Sequence, residues 1–262
     1  MARKDVFRQN LAERDLNFLV NAAAPEASNK EGIRQYARDD PALREILMAD
    51  EKVFDSVRNR TPLNLSISPQ LYFEVLLRGA IREMKKTTHT VERSVSQKIP
   101  VFDLKETLEF LQKEYVIGYL THLLSSFVAI ERGTAKDIDI DVLFSLGKNA
   151  KGQTRFLIYK RIADVCLFVL GIFPDYVMYD YYYLFSKKPL PITAEPKRSM
   201  SEYEGWGQEF YSLASKEEVA KIANIDELLQ TFSDNFDLAK KPLNFLSEHY
   251  LTLTQHKNPE SL

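Results

Sequence analysis

His122 and Asp164 are the residues from which chemistry would start. His122 lies in the stretch Tyr115 to Ile130, which holds no Asp, Glu, Lys or Arg. An imidazole titrates near neutral pH and can act as a general base. The alternative is a neutral core ring bonded to a carbonyl or hydroxyl, since buried polar groups find partners. Asp164 follows Lys160 by four residues and Arg161 by three, so on a helix it can pair with either. A carboxylate among so many apolar neighbours must be paired, or its desolvation would be severe. Five tyrosines fall between Tyr176 and Tyr183, and Tyr176, Tyr179 and Tyr183 share a helical face. Such a stripe either packs at the core edge or lines a pocket or interface. His122, Arg161, Asp164, Tyr176 and Tyr179 therefore form one candidate pocket.

A second candidate is electrostatic. Between Val142 and Ala163 stand five basic residues (Lys148, Lys151, Arg155, Lys160 and Arg161) and no acidic one. Lys148, Lys151, Arg155 and Lys160 would surround a helix N-terminus, where backbone amides and the helix dipole favour an anion. Arg78 to Lys98 is also basic, six residues against two acidic. Other motifs fall short. Gly147, Gly152 and Thr154 have P-loop spacing, but Gln153 stands where the phosphate-reaching lysine belongs. Ser145-Leu146-Gly147-Lys148 lacks the companion signatures of the serine acylases. Asp137, Asp139 and Asp141 open like a calcium loop, yet Val142 replaces the glycine of its sharp turn. No Glu-x-x-His pair or zincin motif occurs. We expect no metal and no cofactor.

These residues need a scaffold, and the composition says which kind. The 262 residues carry 35 Lys+Arg against 37 Asp+Glu, with 45% hydrophobic and 27% charged. That is ordinary globular composition and excludes a disordered or strongly basic chain. Nine glycines argue against several Gly-rich phosphate loops. The lone Cys166 permits no intramolecular disulfide and suits a reducing, cytoplasmic setting. The N-terminus shows no apolar signal core. The apolar runs Tyr115–Ile130 and Ile162–Phe173 are shorter than the roughly 20 residues that span a bilayer, so they read as core helices.

Capping signals recur at Ser28/Glu31, Asp40-Pro41, Ser68-Pro69, Asp103/Glu106 and Ser215/Glu218. With the periodicity they predict helices near 7–20, 29–38, 41–49, 51–59, 69–86, 104–130, 140–149, 154–172, 174–186, 200–214, 216–224 and 226–253, the last broken near Pro242. Residues 88–101 alternate and suit a small hairpin. Lys136–Asp141 also alternates, as a short strand or an extended lead-in to a helix. The expected fold is all-α, a multi-helix bundle around two buried central helices (the second half of 104–130 and 154–172) that pack on each other. Residues 1–60 would form a small helical subdomain and 61–262 the main bundle. A second boundary falls at Lys187–Ser199, where three prolines stiffen the chain.

The segments Thr90–Arg93, Pro100–Asp103, Tyr159–Phe168, Gly171–Val177 and Lys241–Leu246 resemble a family of prokaryotic soluble proteins with no assigned function. The resemblance spans roughly residues 68–251. It implies a prokaryotic source and nothing about chemistry. Two functions are therefore carried forward. One is a non-enzymatic helical interaction or scaffold protein with a protein partner, or an anionic, phosphate-bearing ligand or nucleic acid, and no membrane contact. The other is an enzyme or small-ligand binder with a pocket between the central helices.

Overall fold

The helix starts show how local chemistry sets the frame. Asp40 Oδ1 accepts the Ala42 amide at 2.8 Å, and Ser68 Oγ accepts that of Leu71 at 3.1 Å, each ahead of a proline at the first helical position. Asp139 caps the helix at Ile140 in the same way. Asp139 itself has extended backbone, and residues 136–138 of the alternating lead-in lie outside the described residues.

The structure is a computed structural model that describes residues 7, 11–58, 60, 65–94, 97–129, 139–174 and 198–251. Among them are thirteen helices and one two-stranded antiparallel sheet. The helices are α1 (Glu13–Ala23), α2 (Lys30–Asp39), α3 (Pro41–Ala49), α4 (Glu51–Val57), α5 (Pro69–Met84), α6 (Leu104–Leu111), α7 (Glu114–Ala129), α8 (Ile140–Gly147), α9 (Gly152–Ile172), α10 (Met200–Lys216), α11 (Glu218–Ile222), α12 (Asp226–Asp234) and α13 (Phe236–His249). Strands β1 (Thr90–Ser94) and β2 (Gln97–Val101) pair from Thr90↔Val101 to Ser94↔Gln97. Pro100 can sit in β2 because its missing N–H faces away from β1, which also blunts the free edge. The mostly helical expectation and the hairpin hold.

Helix α9 is the axis. Ile162 to Leu167 and Val169 to Ile172 are all buried, so its second half is enclosed by protein. Its main neighbours are α10, α13 and α8, whereas α7 packs chiefly on α5. The two apolar helices do meet, at Tyr119–Asp164 and where the Phe127 and Phe168 rings stack 3.9 Å apart, but each has its main neighbours among the other helices. Gly171 lets α9 and α13 touch, since a Cβ there would lie 2.6 Å from Leu243 Cβ. Gly79 likewise admits the Phe54 ring between α4 and α5.

One apolar core runs from Leu16 in α1 to Leu246 in α13. The buried Asp15 reinforces the link from α1 to α5, because its carboxylate accepts the Ser68 amide at 2.8 Å.

Several boundaries differ from expectation. The 104–130 helix breaks into α6 and α7 around Gln112 and Lys113. The C-terminal helix breaks at Asn235, whose Nδ2 donates to the Thr231 carbonyl, while Pro242 lies inside a continuous α13. Asn29, not Ser28, caps α2. Asp103 starts α6 without capping it, and Ser215 donates to Ser212 and Gln230 instead of capping α11. Ser199 and Glu202 form a further capping box at the start of α10. The helix expected at 174–186 lies outside the described residues, as do most of the two boundary segments.

Gly171→Ala is expected to lower unfolding free energy by about 1–3 kcal/mol, the cost of overpacking a filled contact. Urea titration of the variant against wild type reads this directly.

Candidate functional site

Three helices bring their polar side chains to one buried point. Asp164, 4% exposed, lies in the enclosed half of α9. Tyr119 of α7 donates its hydroxyl to Asp164 Oδ1 at 2.6 Å, and Tyr211 of α10 donates to the same oxygen at 2.8 Å. Lys160, one turn earlier on α9, donates to Oδ2 at 2.7 Å and lies 4.9 Å from the centre of the Tyr119 ring. The i,i+4 pairing expected from the sequence therefore forms with Lys160. Burial, followed by the negative charge of Asp164, pushes both tyrosines well above their usual range. They are fixed as neutral donors.

His122, one turn beyond Tyr119 on α7, is half-buried beside this point. Burial lowers its basicity, the positive charge of Lys160 lowers it further, and Asp164 opposes both. Of the other expected pocket residues, only Arg161 is among the described ones. The Arg161 guanidinium lies over the Phe127 ring at 4.2 Å, with Nη1 3.5 Å from Ser126 Oγ. Tyr176 and Tyr179 lie outside the described residues. Cys166 is fully buried, and that burial pushes its thiol up, so it is inert packing.

The basic set also divides. Lys148 and Lys151 are exposed ahead of α9. Arg155 is bound by Glu217 at the α10–α11 junction, with Nε at 2.7 Å and Nη2 at 3.1 Å. Lys160 belongs to Asp164. Gly152 has φ of +54° with open space around it, and no side chain caps α9. The first turn of α9 carries no acidic residue.

A second polar cluster gathers around Lys241. Lys241 of α13, 4% exposed, reaches Thr90 Oγ1 at 3.1 Å, Glu92 Oε1 at 3.0 Å and Asp103 Oδ2 at 2.6 Å. Thr90 donates to the other oxygen of Asp103. This explains why Asp103 does not cap α6: its carboxylate is held by the hairpin and α13. The adjacent Lys240 joins Glu204 of α10 at 2.7 Å and Asp237 at 2.6 Å. Burial raises Glu204; at Asp237 burial also acts upward, but the hydrogen bonds to Lys240 and Glu204 and the charges of Lys240 and Lys241 together outweigh it and lower the carboxyl. Neither Tyr119, Tyr211 nor Lys241 has a sequence signal, because their partners are 45, 47 and about 140–150 residues away.

Among the described residues, no group of three His, Cys, Asp or Glu could hold a metal, and no helix is long and apolar enough to cross a membrane. The chain matches no family model, no curated protein and no solved structure.

Asp164→Ala should cost roughly 3–5 kcal/mol, because Lys160 and two tyrosine hydroxyls lose their acceptor. Tyr211→Phe should cost about 1.5–3 kcal/mol, since it removes one hydrogen bond to a charged group. Guanidinium titration of both variants tests this ordering.

The same point predicts alkaline sensitivity. The unfolded chain ionises its tyrosines near about pH 10, while Tyr119 and Tyr211 stay protonated in the fold. Their contribution is whole below that pH and shrinks as pH rises above it. Denaturation midpoints should fall above about pH 10, less steeply in Tyr211→Phe.

Proposed function

We propose that this chain is a non-enzymatic helical interaction protein whose partner carries negative charge. The observation that carries the reading is the engagement of both oxygens of Asp164 by the fold. Both of its oxygens already accept hydrogen bonds, and its three donors come from the fold itself. To act as a general base it would have to give up one of those bonds in a nearly water-free site, at the cost of an unpaired buried group. The polar groups that a pocket enzyme would aim at a substrate are here aimed at one another.

The anionic character of the partner is supported by Lys148 and Lys151. Both are exposed at the start of the longest helix, whose first turn has no side-chain cap and no acidic residue. Amides at such a terminus and the helix dipole add to the two charges. Arg155 and Lys160 drop out of the patch, because Glu217 and Asp164 neutralise them. The buried, unpaired Cys166 fits a reducing cytoplasm, and a prokaryotic cell is the setting we propose.

Lys148→Glu with Lys151→Glu should abolish retention on heparin or RNA while leaving thermal stability within about 0.5 kcal/mol of wild type, as for surface sites. Wild-type retention should fall steeply with salt, since the contacts are ionic. Absence of salt-sensitive retention on any polyanion would remove the anionic partner. A wild-type catalytic turnover lost in Asp164→Asn would overturn the non-enzymatic reading.

A further inference from the structure

Four covered side-chain atoms among the described residues have no hydrogen-bond partner: Arg34 Nε, Thr121 Oγ1, Arg82 Nε and Tyr250 Oη. The last two side chains meet at one place, where the ends of α4, α5 and α13 come together around the Phe54 ring. Phe54 is 3% exposed, and Gly79 of α5 makes room for its ring, so the ring is a fixed floor. The Arg82 guanidinium lies 4.8 Å from the ring centre and that of Arg58 5.8 Å. The Tyr250 ring meets it edge-on, with centres 5.1 Å apart and planes at 75°. Arg82 Nη1 donates to the Ala49 carbonyl at 3.2 Å, which anchors the guanidinium while Nε stays unpartnered. Burial pushes the Tyr250 hydroxyl up to about 12; Glu83 adds to this, and Arg82 and Arg58 oppose it. The hydroxyl is therefore a protonated donor.

A covered donor without an acceptor is unusual in a folded protein, and two of them beside a pair of guanidinium groups call for an acceptor from outside. The nearby carboxylates do not supply it. Asp55 Oδ1 stands 3.4 Å from Arg58 Nε. Glu83 Oε1 stands 3.8 Å from Arg82 Nε and is hydrogen-bonded to Lys86 at 2.9 Å. Arg58, Arg82 and Lys86 against Asp55 and Glu83 leave one positive charge, with Arg60 and Lys85 exposed next along the chain. Part of the basic stretch from Arg78 to Lys98 is thus gathered here with the end of α4. We propose that this junction binds a phosphate group, free or on a small ester, with Arg58 and Arg82 meeting its charge and Tyr250 Oη donating to one of its oxygens. Phosphate accepts hydrogen bonds from several directions, which suits two planar guanidinium forks and one hydroxyl set around it. Arg58 is the way in. Its side chain is half exposed, and its loose surface ion pair with Asp55 holds it weakly. The site is separate from Lys148 and Lys151 at the start of α9.

Thermal unfolding in phosphate, against chloride of equal ionic strength, tests this. The wild-type midpoint should rise with phosphate concentration as it does for a ligand held only by the folded state. Inorganic phosphate and glycerol phosphate are run in parallel, and the one that acts at the lower concentration identifies the source. Tyr250→Phe should weaken phosphate about tenfold, since it removes one hydrogen bond to a charged group. Arg58→Gln, at an exposed position, should weaken it by about the same factor. Without phosphate, Tyr250→Phe should melt no lower than wild type, because its hydroxyl has no partner in the fold. Lys148→Glu with Lys151→Glu should keep the full phosphate response; its loss there would place the anion at α9 and overturn the proposal. A wild type without a phosphate-specific response overturns it, and so does an equal response in wild type, Tyr250→Phe and Arg58→Gln. A Tyr250→Phe variant that melts lower without phosphate also overturns it, for then an internal partner such as a buried water already holds the hydroxyl.

Discussion

The structure turns on one buried carboxylate. Asp164 lies where α7, α9 and α10 meet, and it brings a negative charge into an otherwise apolar centre. Such a charge is tolerable only when it is paired and both oxygens have donors. The two tyrosine hydroxyls and Lys160 supply them, one donor from each helix. The requirement fixes more than energy. Tyr119 and Tyr211 can reach the same oxygen only if α7 and α10 approach α9 at set heights and rotations. A purely apolar contact would allow sliding, because dispersion and burial have little direction. The rings that carry those hydroxyls also pack at a tilt against Phe232, 4.6 Å from Tyr119 and 5.7 Å from Tyr211, so α12 inherits its position from the same pair.

The tandem lysines of α13 apply the same logic at the other end of the axis. Lys240 and Lys241 diverge from one turn, one toward α10 and the other toward the hairpin and Asp103. A two-stranded hairpin is marginal by itself in water. Here its Thr90 and Glu92 are tied to a buried ammonium, so the hairpin is held by α13 and not only by its own ladder. The cost of burying Lys241 is offset by two carboxylates and a hydroxyl. Removing either side of that arrangement would leave the other stranded.

These networks bear on function by subtraction. Most of the residues whose chemistry drew attention in the sequence are engaged in holding helices together: Asp164 and Lys160 with each other, Arg155 with Glu217, and Arg161 over Phe127. What the fold leaves to solvent near α9 is the Lys148–Lys151 pair and the open backbone at Gly152. His122 differs from the rest. It is a half-buried titratable group whose basicity burial and the charge of Lys160 lower, with the Phe7 ring 5.0 Å from its own.

The sequence by itself determined the helical class, the start sites at Asp40 and Ser68, the hairpin, and the enclosure of α9. Each of these rests on interactions within one turn or on periodicity along one element, and such forces act between residues close in the chain. It also determined that Asp164 must be paired and that Lys160 was within reach, because an i,i+4 contact is local. Only the tertiary structure decided that Tyr119 and Tyr211 complete the site, that Asp103 serves Lys241 instead of α6, that Arg155 is spent on Glu217, and that α9 takes α10 as its main neighbour. Those contacts join residues tens to more than a hundred positions apart. No local preference encodes them, because they arise where helices already formed must find, in three dimensions, a partner for each polar group they bury.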